Sequence, residues 1–227
     1  MGPKEIHKGI YLVGSSDITD PKDCCVYLLD LGELVLIDAG AGTSTSLIVH
    51  NIEKLGFDVS RLSTIILTHC HIDHVGGGGA LQERSRAKIV MHELDALPVE
   101  QGDQRLTAAQ WYGVRFKPLP VDLKFSGSKE VLSIGGHDVV LLHTPGHTPG
   151  SISVYLDKDG KRVLFGQDIH GPFLADFGAN MTHWQTSMEQ LIALNADILC
   201  EGHFGIYQPS KKVAAYIERY LEEYAEG

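Results

Sequence analysis

No apolar run in the 227-residue chain approaches the ~18 residues needed to cross a bilayer. The N-terminal Met1-Gly2-Pro3-Lys4-Glu5-Ile6 has no apolar signal core. A membrane span or a secreted precursor is therefore not expected, and the cytoplasm is the expected compartment. Clusters of positive charge are also missing: Lys and Arg are scattered, and the formal net charge is −10. Phosphate contacts dominate nucleic-acid affinity, so no nucleic-acid partner is expected. Cysteine is scarce, at four residues. Cys24 and Cys25 are adjacent on an expected strand and so point to opposite faces, which disfavours a mutual disulfide. The pattern suggests buried thiols in a reducing compartment.

At 43% hydrophobic and 21% charged residues, the composition is that of a soluble globular protein, read here as one domain over residues 1–227. Strand-like runs cover Gly9 to Val13, Cys24 to Leu29, Leu34 to Ile37, Thr64 to Leu67 and Lys88 to Met91. Helices are expected from Thr43 to Leu55 and from about Gly78 to Arg86. Residues from about His92 to Lys117 read as short helical pieces broken by Pro98 and Gly102, an excursion between two halves. Strands resume near Val121 to Phe125, Glu130 to Ile134, His137 to Leu142, Ser151 to Leu156 and Lys161 to Phe165. A helix from Trp184 to Leu194, a strand from Asp197 to Cys200 and a helix from Ser210 to Tyr224 follow. Val26-Tyr27-Leu28 with Val35 to Asp38 echoes Val154-Tyr155-Leu156 with Val163 to Asp168. Each half thus has a hairpin whose second strand runs into an Asp, which suggests two related β-rich halves.

The chemistry concentrates in Thr68-His69-Cys70-His71-Ile72-Asp73-His74, followed by Gly76 to Gly79. Four metal-competent side chains lie within six residues at a strand end, with imidazole and carboxylate donors suited to zinc and tolerated by iron or manganese. Alternation turns Cys70 away from them. Three further candidates sit in loops after apolar runs: His147 in Thr144-Pro145-Gly146-His147-Thr148-Pro149-Gly150, Asp168 at the end of a hairpin strand, and His203 in Glu201-Gly202-His203. Of the remaining histidines, His7, His50, His92 and His137 read as surface or loop residues and His143 as structural. His170, two residues beyond Asp168, is a candidate for the substrate pocket. Phe173, Trp111 and Tyr112 are pocket candidates too, with Phe177, His183 and Trp184 behind them.

His-x-His-x-Asp-His followed by His147, Asp168 and His203 resembles the metallo-β-lactamase superfamily, over nearly the whole chain from Asp38-Ala39-Gly40 to His203. The resemblance implies an α/β fold, a four-layer αββα sandwich with the metal site along one edge of two sheets. It implies that His69, His71 and His147 bind one divalent ion and Asp73, His74 and His203 a second, with Asp168 bridging both; zinc is the expected metal. It further implies a bridging hydroxide that attacks a small ester, thioester or lactone, with Asp73 as catalytic proton relay and Asp38 in a supporting position.

The set is similar to glyoxalase II-like hydrolases, although only one helix's length follows His203, where glyoxalase II carries a helical extension. Gly171 stands where the acyl-homoserine lactonases have a Tyr. A mononuclear-iron dioxygenase on the same fold and a phosphodiesterase or RNase are the alternatives. A small-molecule substrate is the expected partner, and self-association into a homo-oligomer is left open.

Overall fold

A computed structural model of the chain describes residues 2–225. The first half builds a seven-stranded sheet in sequence order: β1 (Lys4–His7), β2 (Ile10–Gly14), β3 (Val26–Asp30), β4 (Leu34–Ile37), β5 (Leu62–Ile66), β6 (Lys88–His92) and β7 (Leu123–Phe125). Strands β1 to β4 form an antiparallel meander, and β4 to β7 are parallel. Helices α1 (Thr45–Lys54), α2 (Ile72–Val75), α3 (Gly78–Ser85), α4 (Glu93–Gln101) and α5 (Ala109–Tyr112) supply the connections.

The second half forms a six-stranded sheet from β8 (Lys129–Ile134), β9 (His137–His143), β10 (Ile152–Lys158), β11 (Lys161–Gln167), β12 (Ile198–Glu201) and β13 (Ile206–Tyr207). Its order is β13-β12-β11-β10-β9-β8, with α6 (Met181–Ala193) and α7 (Ser210–Ala225) against it.

Side-chain alternation sorts the residues into layers. On β3 to β5, Leu28, Leu36 and Ile65 point one way and pack with Ile48 and Ile52 of α1 and Leu81 of α3. Their neighbours Leu29, Val35, Ile37 and Ile66 point the other way, into a cluster shared with Val139, Leu141, Val154, Val163 and Phe165 of the second sheet. That cluster is the seam between the sheets. Leu164 and Leu199, on the second sheet's outer face, pack with Trp184, Met188 and Leu191 of α6 and Ile217 of α7. The result is helices, sheet, sheet, helices: an αββα sandwich. Strands covered on both faces explain the continuous apolar run of Leu34–Ile37, all of it buried. Cys24 and Cys25 divide between the outer and inner clusters as alternation requires, and all four thiols are free and buried.

The two halves repeat one device. The β3–β4 hairpin lies parallel to β5 through its second strand, and the β10–β11 hairpin lies parallel to β12 in the same way. The C-terminal ends of these parallel strands therefore share an edge, and β9, which runs antiparallel to β10, points the same way.

Several expectations need correction. Pro98 does not break a helix: α4 runs through it to Gln101 and stops at Gly102, whose φ is +63°. Pro98 removes only the N–H that would bond Leu94, an exposed residue beside water. The α6 helix begins earlier than Trp184, because Asn180 caps it by accepting a 3.0 Å hydrogen bond from the His183 N–H. His92 is buried, not on the surface; its ring stacks on that of His143 at 3.9 Å.

Candidate metal centre

Each ligand candidate sits just past the C-terminal end of a strand. His69, His71, Asp73 and His74 follow β5, His147 follows β9, Asp168 follows β11 and His203 follows β12. Chain direction alone brings these four strand ends to one edge of the sandwich. The glycine run after His74 has a packing reason. A Cβ on Gly77 would fall 2.1 Å from the Ala39 carbonyl oxygen, and one on Gly76 would fall 2.3 Å from that of Ala41. Glycine therefore lets the His-rich turn lie against the Asp38-Ala39-Gly40 loop, where the Ala39 N–H donates to the His74 carbonyl at 2.8 Å.

The structure gathers all seven side chains into two adjoining groups. In the first, His71 Nδ1 lies 3.1 Å from His69 Nε2 and 2.9 Å from His147 Nε2. In the second, Asp73 Oδ2 lies 3.2 Å from His203 Nε2 and 3.5 Å from His74 Nε2. Asp168 stands between them. Its Oδ1 is 3.3 Å from both His74 Nε2 and His203 Nε2, and its Oδ2 is 3.4 Å from His147 Nε2 and 3.9 Å from His69 Nε2.

This donor set fits metal ions, and the buried polar atoms show it. His74 Nε2 and Asp168 Oδ1 are buried with no hydrogen-bond partner, although such orphans are rare in folded proteins. Three imidazole nitrogens that converge within ~3 Å repel as lone pairs unless a cation or a proton sits among them. On two of the rings the opposite nitrogen is tied down, which aims the converging one. His74 Nδ1 donates to Asp38 Oδ2 at 2.8 Å, and His147 Nδ1 donates to the Pro172 carbonyl at 3.0 Å.

The electrostatics differ between the groups. Burial holds the His69, His71 and His147 rings below the usual histidine range, His71 down to about 3, so these are neutral imidazoles. For His203, burial pulls downward but Asp168 and Asp73 outweigh it and push the ring up to about 10. His74 is raised likewise against burial, with Cys24 and the three carboxylates of Asp38, Asp168 and Asp73 acting upward. Burial raises Asp168 and Asp73, yet the two rings hold both carboxyls below their ordinary range. Without a metal, a proton on His203 takes part of the cation's electrostatic role.

Above the cluster opens a cavity of about 670 Å³. Trp111, Tyr112 and His170 line it, as does Phe177, whose ring meets His71 edge-on at 4.9 Å. Phe173 does not line it. That ring turns toward the α6 and α7 side and packs with Trp184 and Tyr224, with its centre 6.3 Å from that of the His147 ring. Trp184 is core, with its indole N–H donating to the Ile169 carbonyl, and His183 is exposed. Cys70 faces the Leu106 carbonyl, away from the cluster.

Two supporting residues escape sequence reasoning. Asp95 of α4, 1% exposed, accepts from Cys70 N–H at 2.9 Å, Thr148 Oγ1 at 2.7 Å and Gly150 N–H at 2.6 Å. It therefore ties the His69–His74 loop to the His147 loop. Glu201, fully buried, accepts from the His203 and Phe204 N–H groups at 2.6 and 2.7 Å and from His170 Nδ1 at 2.8 Å. The only sequence signal for either is an acidic residue beside an apolar run.

A fold of two facing sheets with a His/Asp cluster on one edge defines a class of metal-dependent enzymes, and the comparisons agree. The model of the metallo-beta-lactamase superfamily matches residues 20–203. The hydroxyacylglutathione hydrolase GloC of Haemophilus influenzae is 29% identical over 196 residues, covering 82% of this chain and 86% of that protein. A probable metallo-hydrolase of Methanocaldococcus jannaschii is 27% identical over 132 residues, 58% of this chain and 62% of the archaeal protein. A motif mutant of a metallo-beta-lactamase from Cronobacter sakazakii superposes with a TM-score of 0.84 at 23% identity, covering 100% of this chain and 96% of that one. The chain belongs to the metallo-beta-lactamase superfamily, and it is a metal-dependent hydrolase. Among the described residues, no helix is long and apolar enough to cross a membrane.

Proposed function

We propose that the protein is a binuclear metallohydrolase of small esters, thioesters or lactones. His69, His71 and His147 would hold one ion, and Asp73, His74 and His203 would hold the second. Asp168 serves both. The observation that carries this reading is the division of Asp168, one oxygen toward each group, beside the orphaned His74 Nε2. Mixed nitrogen and oxygen donors favour zinc, and iron or manganese also suit them. Such ions supply Lewis acidity, lowering the pKa of a water toward neutrality and polarising an acyl oxygen.

The chain's own residues do the rest. Asp73, at the cavity floor, accepts the nucleophile's proton on a carboxylate oxygen and returns it to the leaving group. Tyr112 keeps its phenolic proton, because burial and the nearby Asp73 both raise its pKa, and so it offers a donor to the cavity. His170, held by Glu201, fixes the opposite wall. The hydroxyacylglutathione hydrolase relative supports acyl transfer to water as the reaction class. Four free, buried thiols accord with a reducing compartment, and we place the protein in the cytoplasm.

Metal-quantified protein assayed on ester, thioester, lactone, phosphodiester and β-lactam substrates tests the reading. The expected result is about two ions per chain, with acyl hydrolysis lost in Asp168→Ala. One iron per chain with thiol-dependent oxygen uptake would overturn it, as would phosphodiester cleavage far faster than acyl hydrolysis.

A further inference from the structure

The cavity's walls carry information about the remote part of the substrate. On the first-half side, Trp111 is 67% exposed and leans edge-on against Phe177 at 5.0 Å, which in turn contacts His71. On the second-half side, Phe204 is 58% exposed and meets the His170 ring at 4.4 Å. These two are the most exposed large hydrophobic side chains among the described residues, and both line this one cavity. Leu12 and Leu174 line it too. Large apolar groups left in water around a concavity mark a surface that a ligand covers.

The charge on these walls points the same way. Among the described residues, apart from the ligand candidates and His170, the charged side chain lining the cavity is Asp17, an exposed carboxylate, and the lining includes no Lys or Arg. Lys22 and Arg105 lie nearby but bond the backbone carbonyls of Tyr112 and Asp176, at 2.7 and 3.2 Å, outside the lining. A carboxylate at the far end of a bound substrate would give up part of its hydration to two aromatic rings and lie beside an aspartate. Burying an unpaired anion in that setting is unfavourable, whereas an apolar chain gains contact with both rings.

We infer, resting on the hydrolase reading above, that the enzyme takes an uncharged acyl ester, thioester or lactone. Its apolar chain lies between Trp111 and Phe204. Substrates with a remote carboxylate, glutathione-type thioesters included, are disfavoured.

Phenyl hexanoate and monophenyl adipate test this, because they share the scissile bond and chain length and differ by a terminal methyl against a carboxylate. With the full-length, metal-loaded protein, kcat/KM for phenyl hexanoate exceeds that for monophenyl adipate by about tenfold or more. Asp17→Asn narrows that ratio. Trp111→Ala and Phe204→Ala raise KM for phenyl hexanoate more than for phenyl acetate, whose acyl chain is too short to reach the rim. Equal or faster cleavage of the adipate ester, or a ratio unmoved by Asp17→Asn, overturns the inference.

Failure to cleave any of the three esters refutes the hydrolase reading instead. Calorimetric binding of the uncleaved analogues, hexananilide and adipic acid monoanilide, then still decides the inference. Preferential binding of hexananilide supports it and equal binding refutes it.

Discussion

Replacing Asp95 by Ala should loosen the metal centre without touching a ligand. The substitution removes the acceptor for three buried donors. The Thr148 hydroxyl retains Ser151 Oγ at 2.7 Å, so the unsatisfied groups are the Cys70 and Gly150 N–H. At about 1–3 kcal/mol for each orphaned buried donor, the gross loss is about 2–6 kcal/mol. Relief from burying a carboxylate offsets part of it, which leaves about 3 kcal/mol. For a chain of this size, that lowers Tm by roughly 6–12 °C. Asp95→Asn keeps one carbonyl acceptor but turns an amide N–H toward a donor, so it should lose about half as much.

Thermal unfolding with and without chelator gives the stability effect. Metal retained against a graded chelator gives the positional one. Because Asp95 joins the loops that carry His69, His71 and His147, both variants should lose metal at lower chelator than the wild type does. A Tm drop below about 2 °C, or unchanged metal retention in Asp95→Ala, would show that the three bonds do not hold the loops in place.

Three further outcomes are expected. Metal binding to apoprotein at pH 7 should release protons, because His203, pushed up to about 10 by Asp168 and Asp73, holds a proton until a cation replaces it. Calorimetry in two buffers of different ionisation enthalpy counts them, and a count near zero refutes the charge assignment. His92 is lowered to about 4 by burial and by His143, so the unfolded chain binds the proton first. Its contribution is thus present above about pH 6.5 and is lost as pH falls through 4. His92→Asn, which keeps the cap on Leu94, should flatten the fall in urea midpoint over that window. Finally, Gly77→Ala forces a Cβ against the Ala39 carbonyl, and it should cost more than about 3 kcal/mol in urea unfolding and weaken metal retention.

The seven ligand candidates were readable because each is a rare residue type placed where an apolar run stops, and because strand ends cluster. The layered fold was legible only through the resemblance, because a run such as Leu34–Ile37, apolar at every position, says that both faces are covered but not by what. What sequence could not supply were bonds that act across the chain. Asp95 serves Cys70 and Thr148, and Glu201 serves His170, through contacts that no local pattern encodes. The exchange of Phe173 for Phe177 on the cavity wall has the same cause. Their loop is irregular, so no periodicity says which ring faces the cavity and which packs against α6 and α7. Pro98 misled for another reason: its buried ring packs inside α4, and the helix continues one turn beyond it to Gly102.

Asp168 sends one oxygen to each group of ligands, and those groups come from both halves of the chain. Bound ions would therefore act as removable cross-links, closing a chain loop that runs from His69 to His203 across the seam between the sheets. Closing so long a loop stabilises the folded form chiefly by withdrawing freedom from the unfolded one. The apolar seam holds the sheets together by itself, so stripping the metal should free the edge loops first and leave the sandwich standing. Catalytic competence and resistance to proteolysis at that edge would then rise and fall together with metal supply, while the core registers little of the change.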